Sequence, residues 1–231
     1  MLRILKDTAE FQTAIQALEA QGLTPHKTPA KNWDLELVRS FFSDLDKDAP
    51  ILDLGAAGGV ILNLLHDSGH TNLRGVDLVA EPSTFKMKLK KTFVPSTFLA
   101  RDLTDEGDIT ATPYQDNQFA AATCISVLEH DVDLPKFFAE CGRIIRPGGR
   151  LLTTFDYWED FDNDADGPKA VCGLPWFIFN RQTVGEMLDL AKTHGFEPAD
   201  GETEIPPCGD TVVEYANRHY TFMAMGLVKQ D

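Results

Sequence analysis

The sequence has little positive charge, few cysteines and no long apolar runs, and each shortage excludes something. Lysine and arginine number 21 against 36 aspartates and glutamates, a formal net charge of −15. A groove that tracks phosphates needs lysine and arginine, so a nucleic-acid partner or an anionic membrane surface is disfavoured. The one short basic cluster, Lys86 to Lys91, reads as the solvated face of a helix. The four cysteines, Cys124, Cys141, Cys172 and Cys208, form no C-x-x-C pair and no zinc spacing. They read as reduced, mostly buried thiols. No run approaches the roughly 18 apolar residues that a bilayer crossing requires. The start, Met1-Leu2-Arg3-Ile4-Leu5-Lys6-Asp7, turns charged too soon for a secretory leader, so the expected location is the cytoplasm. Internal repeats and low-complexity linkers are also missing.

What is present fits one sizeable α/β domain: 231 residues, 43% apolar and 25% charged. Residues 8–21 carry Phe11, Ile15 and Leu18 at helical spacing, and residues 32–46 carry Leu35, Val38, Phe41, Phe42 and Leu45, with Asn32 or Asp34 as the expected cap. A loop with two prolines, Gly22 to Ala30, joins them. Residues 1–49 thus form an N-terminal helical segment, a lid or a packing layer, ahead of a second unit over 50–231. There the pattern alternates. Strands are expected at Ile51–Leu54, Leu73–Asp77, Thr97–Ala100, Phe119–Val127, Arg150–Phe155 and Tyr220–Val228, and helices at Val60–His66, Thr84–Lys91, Pro135–Ile145 and Arg181–His194. Such alternation implies a mostly parallel sheet with helices on both faces.

On such sheets ligands sit outside the carboxyl ends of the strands, where strand order reverses. The first of these strands runs into Gly55-Ala56-Ala57-Gly58-Gly59 and then a helix. Glycine lets backbone bend and approach a ligand, and the helix start offers unpaired N–H groups. Alone, that turn could serve NAD, a flavin or nothing. NAD sites want G-x-G-x-x-G, and glycines at 55, 58 and 59 miss that register. Asp77 ends the next strand, where a carboxylate can accept both hydroxyls of a ribose; an N-cap or a solvated turn is the bland alternative. Asp102, in Ala100-Arg101-Asp102-Leu103, could accept from an adenine amino group.

These segments resemble the class I S-adenosylmethionine-dependent methyltransferases, in particular the small-molecule branch related to ubiquinone and menaquinone biosynthesis. Four stretches match in order: Ile51 to Gly59, Gly75-Val76-Asp77-Leu78, Thr112 to Phe119 followed by Ser126-Val127-Leu128-Glu129-His130, and the strand around Leu151 after Ile145-Arg146-Pro147-Gly148-Gly149. The resemblance covers about residues 50–156. It implies a Rossmann-like, seven-stranded, mostly parallel sheet whose last strand is antiparallel. It also implies S-adenosyl-L-methionine as cofactor. Asp53, Gly55, Ala56, Ala57 and Gly59 would line the methionine end, and Asp77 and Leu78 the ribose. Arg101, Asp102 and Leu103 would hold the adenine, and Ile125 and Ser126 would sit beneath the sulfonium. Ala57 departs from the family, which usually has glycine there; a left-handed backbone at alanine costs roughly 1 kcal/mol.

The sulfonium methyl is already electrophilic, so the protein's task is mainly to align a nucleophile. His130 is the candidate base, since it follows the fourth parallel strand and imidazole titrates in the useful range; the alternative is that His130 and Glu129 only hold the loop. Some relatives bind a divalent metal here through Glu-x-x-Glu-His, but Ser126 stands at the first of those positions, so no metal is expected. Asp156, Tyr157, Trp158, Trp176 and Arg181 are the candidate acceptor contacts, flanking the acidic stretch 159–166; aromatic walls with a few polar groups suit a small ligand. Any one aromatic there could instead pack the sheet. Lys31 and Trp33 could close over the cofactor or be surface residues. The expected function is methyl transfer to a small molecule such as a sugar or other natural-product intermediate, by a monomer or homodimer. A nucleotide-binding oxidoreductase and a non-catalytic S-adenosylmethionine-binding domain are the competing readings.

Overall fold

Ile51–Leu54, buried at every position, is the strand from which the sheet extends both ways. A short run with no exposed face is what a parallel strand covered on both sides requires. The computed structural model describes residues 1–56, 58–78, 103–171 and 173–231. In chain order the elements are β1 (Leu2–Ile4), α1 (Thr8–Ala20), α2 (Lys31–Phe41), β2 (Ile51–Leu54), α3 (Val60–Asp67), β3 (Leu73–Asp77), β4 (Thr104–Glu106), β5 (Phe119–Ile125), α4 (Leu134–Ile144) and β6 (Ile145–Tyr157). They continue with α5 (Asn163–Asp166), β7 (Lys169–Val171), β8 (Leu174–Trp176), α6 (Arg181–Thr193), β9 (Phe196–Pro198), β10 (Val213–Tyr215) and β11 (Arg218–Lys229). The expected helix over 84–91, the strand over 97–100, the basic cluster at 86–91 and Cys172 lie outside the described residues.

The main sheet runs β1-β11-β6-β5-β2-β3-β4, a path of seven strands, and the short β9 and β10 also pair with β11. Strands β2 to β6 pair in parallel, and β11 lies antiparallel on β6. From β2 the chain first builds outward through β3 to β4, then returns to place β5 on the other side. The reversal point between β2 and β5 is therefore where a ligand is expected.

Two cores cover the faces. On one, Leu52, Leu54, Cys124, Phe155 and Tyr157 pack with Phe137, Phe138 and Cys141 of α4 and Val184 and Met187 of α6. On the other, Ile51, Ala121, Leu152 and Phe222 pack with Phe11 and Leu18 of α1, Trp33 and Val38 of α2, and Leu62 and Leu65 of α3. Leu151 and Leu152, adjacent in β6, belong to opposite cores, as the two-residue period of a strand demands.

Several local details differ from the sequence reading. Helix α2 starts after Ala30 with no side-chain cap. Asn32 does another job: it is buried, its Oδ1 accepts from the His26 N–H at 2.6 Å, and its Nδ2 donates to the His26 carbonyl at 3.0 Å, bracing the preceding loop. Asp34 is buried within the helix rather than capping it. The helix ends at Phe41, short of residue 46, because Arg150 Nη1 donates to the Phe41 carbonyl at 2.8 Å while the same guanidinium pairs with Asp44. Leu2–Ile4, in the segment read as helical, is an edge strand on β11, pairing Leu2 with Met225 and Ile4 with Met223. Three residues are too few to carry a readable period.

Candidate active site

The turn after β2 is built by backbone. Gly55 and Ala56 both donate N–H groups to the Val76 carbonyl, at 2.9 and 3.2 Å, which ties the turn to the end of β3. Gly55 has φ of 85°, a region open to glycine at little cost. A Cβ there would overlap Cγ2 of Val127 and lie 3.0 Å from its Cγ1, so the β2 and β5 turns approach as closely as atoms allow. Gly58 and Gly59 are also left-handed, at φ of 85° and 63°, and Gly59 leads into α3. Ala57 lies outside the described residues.

Around that turn the ends of three parallel strands meet. Asp53 of β2 is 3% exposed, and its Oδ1 accepts from Thr123 Oγ1 at 2.7 Å. Burial pushes its carboxyl up to about 7; the Thr123 hydrogen bond opposes this, and the nearby Asp77 charge adds to it. Asp77 ends β3, half-buried, and Leu78 beside it is 64% exposed, an unusual setting for a large apolar side chain. Leu103 is half-buried, and its carbonyl accepts from the Gly75 N–H at 2.8 Å. Arg101 and Asp102 lie outside the described residues. Ile125 ends β5, and Ser126 follows it at φ of 55°, its N–H on the Thr154 carbonyl at 2.9 Å. Left-handed serine is uncommon and clusters at functional sites. A glycine cradle that a Cβ would fill, a buried carboxylate and a half-buried one suit a ligand with a cationic end and a neighbouring diol.

The predicted acceptor contacts do not all converge. Asp156 and Tyr157 are adjacent in β6, so they point to opposite faces. Asp156, 6% exposed, accepts from the Trp176 indole N–H at 2.7 Å, and Trp176 and Trp158 pack in the α1–α2–α3 core. Tyr157 is fully buried in the other core, and burial pushes its phenol up to about 12. Arg181 pairs with Glu159 at 2.6 Å and donates to the Ile205 carbonyl at 3.1 Å. Its hydrogen bonds hold the chain after β6 together. His130 is half-buried, and its Nδ1 lies 3.1 Å from the Pro175 carbonyl. Burial holds its pKa below the ordinary imidazole value, partly offset by that carbonyl.

The acidic stretch 159–166 is also tied down. Asp162 caps α5 through the N–H groups of Asp164 and Ala165, and Asp166 receives the buried Arg218 guanidinium at 2.6 Å. Arg218 itself lies 4.6 Å from the Trp176 ring.

Sequence reasoning missed a buried charge cluster beside Ser126. Lys31, in the first turn of α2, hydrogen-bonds Ser126 Oγ, pairs with Asp34 at 3.4 Å and sits 3.9 Å from the Phe222 ring centroid. Asp34 and Glu129 are 1% and 2% exposed. Burial raises the Glu129 carboxyl well above its ordinary value, and the Asp156 charge adds to this. Burial alone would lower the Lys31 ammonium, but Asp34, Asp156 and Glu129 outweigh it and raise it. One signal was legible: Asp34 falls on the apolar stripe with Leu37, Val38 and Phe41, where a charge needs a partner. Trp33 is not a surface residue; it is 3% exposed, with its indole N–H on Glu10 at 3.2 Å.

Comparison with known proteins agrees with this geometry. A family model described as a methyltransferase domain matches residues 52–153. The ubiquinone biosynthesis O-methyltransferase of Klebsiella pneumoniae is 27% identical over 102 residues, 44% of this chain and 40% of that one. The chain thus spans less than half the length of that curated relative. The geranyl diphosphate C-methyltransferase of Streptomyces coelicolor, solved with Mg2+, geranyl diphosphate and S-adenosyl-L-homocysteine, superposes with a TM-score of 0.58 at 15% identity, covering 91% of this chain and 87% of its own. The 1,6-didemethyltoxoflavin-N1-methyltransferase of Burkholderia thailandensis, solved with 1,6-didemethyltoxoflavin and S-adenosylhomocysteine, gives 0.56 at 16% identity, covering 98% and 92%. At such identities the structural likeness is one of fold. Through residues 52–153 the chain is similar to the methyltransferase domain family, and its fold is similar to those of the solved methyltransferases.

Proposed function

We propose that this chain transfers the methyl group of S-adenosyl-L-methionine to a small-molecule acceptor. The carrying observation is the convergence of the Gly55 cradle, Asp53, Asp77 and left-handed Ser126 at the carboxyl ends of three adjacent parallel strands. Asp53 would face the ammonium of the methionine end and Asp77 the ribose hydroxyls, with Leu78, Arg101, Asp102 and Leu103 toward the adenine. The cofactor, when bound, supplies an electrophilic methyl on a sulfonium.

The chain's own work is alignment. Ile125 and Ser126 would set the floor beneath the methyl, while Asp156, Trp158 and Trp176 would border the acceptor. Holding both reactants in line can supply about 7–11 kcal/mol. His130, kept neutral by its surroundings, can take a proton from the acceptor. The N-terminal residues 1–49 bring Lys31 over Ser126 and act as a cover for this end of the sheet. The reaction takes place in the cytoplasm, and the protein works as a monomer or homodimer.

Isothermal titration of the intact chain with S-adenosylmethionine, S-adenosylhomocysteine and NAD(P) tests the reading. It expects the first two to bind and NAD(P) not to; no binding of either sulfur ligand at about millimolar concentration would sink it. Methyl transfer across a broad acceptor screen separates an enzyme from a domain that only holds the cofactor.

A further inference from the structure

Resting on the methyltransferase reading, we infer that the acceptor carries a cationic amine, received by the buried carboxylates of Glu129, Asp34 and Asp156 beside Ser126. Three carboxyl groups face one ammonium, Lys31, so the cluster holds more acid than base. Glu129 Oε2 is buried with no hydrogen-bond partner among the described residues, and the buried Asp34 carboxylate is offset by the Lys31 ammonium at 3.4 Å and the Thr154 hydroxyl. A buried acceptor without a donor is costly, so the Glu129 oxygen calls for a donor.

The aromatic wall points the same way. Trp176 and Tyr220 lie 5.7 Å apart and Tyr220 and Phe222 6.2 Å apart, centroid to centroid, and an ammonium, that of Lys31, already sits on the Phe222 face. Ring faces attract cations, and the Trp176 N–H keeps Asp156 oriented. The Lys31 side chain is 28% exposed, so the cluster opens to solvent at this point. An anionic acceptor would meet three carboxyl groups, and an apolar one would leave the Glu129 oxygen unpaired.

The chemistry balances. The bound ammonium gives one proton to the neutral imidazole of His130. The freed nitrogen lone pair forms the N–C bond to the methyl, the C–S bond breaks, and its electron pair goes to sulfur. The nitrogen ends as a methylated ammonium.

The test is titration of the full chain, with and without S-adenosylhomocysteine, using three probes of matched shape: 2-phenylethylamine, 2-phenylethanol and 3-phenylpropanoate. The amine is expected to bind at least about tenfold more tightly than the alcohol or the acid. Glu129→Gln should weaken the amine about tenfold or more, with S-adenosylhomocysteine affinity changed less than about twofold. Asp34→Asn serves as an independent variant, and thermal melts show that each is folded. The inference is overturned if the alcohol or acid binds as tightly as the amine, if the amine shows no binding at about 20 mM, or if neither variant discriminates. Loss of S-adenosylhomocysteine binding with the amine ranking intact would instead count against the methyltransferase reading.

Discussion

Gly55 and Val127 touch so closely that no side chain fits between them: a Cβ on Gly55 would overlap Cγ2 of Val127. The two residues lie in the turns after neighbouring parallel strands, so their contact sets how closely the β2 and β5 turns approach. Gly55→Ala is expected to weaken S-adenosylmethionine binding at least about tenfold, through overlap costing about 1–3 kcal/mol and left-handed strain costing about 1 kcal/mol. Val127→Ala in the same chain should relieve the overlap but not the strain, recovering part of the affinity. Calorimetric titration of both variants checks this; unchanged affinity for Gly55→Ala would place the cofactor elsewhere.

Asp77→Ala should weaken cofactor binding at least about tenfold, or about 1.4 kcal/mol, because a buried diol would lose its acceptor. Melting temperature without ligand should change little, since Asp77 stands at the half-buried end of β3. Equal affinity in the variant would mean that this carboxylate does not reach the ribose.

The buried carboxyls of Asp53 and Asp156 should each cost the fold stability as pH rises from about 4 to about 7. Asp53 is raised from 3.8 to about 7, and Asp156 from 3.8 to about 6, both first by burial. A carboxyl whose folded value exceeds its unfolded one contributes stability below the unfolded value, and that contribution is lost as pH rises through the folded value. Carboxylates held low, such as Glu140 with Arg143 and Asp166 with Arg218, weaken the fold only in stronger acid. Asp53→Asn should flatten the melting profile across that interval. An Asp53→Asn profile that follows the unsubstituted chain between pH 4 and 7 would contradict the burial argument.

His130→Ala is expected to reduce turnover about 10²- to 10⁴-fold, the usual range for a lost base, with cofactor affinity nearly unchanged. Initial rates and titration on the same preparation separate the two effects. Full activity would leave the proton to the carboxylate cluster around Glu129.

Arg218→Met should destabilise the fold by about 2–3 kcal/mol, the scale of lost hydrogen bonds to a charged group. The buried guanidinium holds Asp166 at 2.6 Å and the carbonyls of Trp176 and Gly167 at 3.0 Å each. Chemical denaturation measures the change, and a stable variant would show that the 159–176 segment holds without it.

Much of this protein was legible in the chain alone. Hydrophobic period placed β2, α3, β3, α4, α6 and β11 within a few residues, and the glycine register with Asp53 and Asp77 pointed to the proposed cofactor end, because these signals are local and each strand end lies next to its own turn. The cap of α2, the edge strand β1 and the split of Asp156 from Tyr157 were less readable, since short segments carry no period and a strand's two faces look alike in a string of letters. The charge cluster needed the fold itself. Lys31 and Ser126 are 95 positions apart, and only the packing of α2 over the ends of β5 and β6 brings Lys31, Asp34, Glu129 and Asp156 into one buried pocket. The sequence by itself determined the alternating sheet and the turn that can cradle a cofactor. Tertiary structure decided which distant charges share a low-dielectric space, because burial and Coulomb attraction depend on distances that the order of residues does not state.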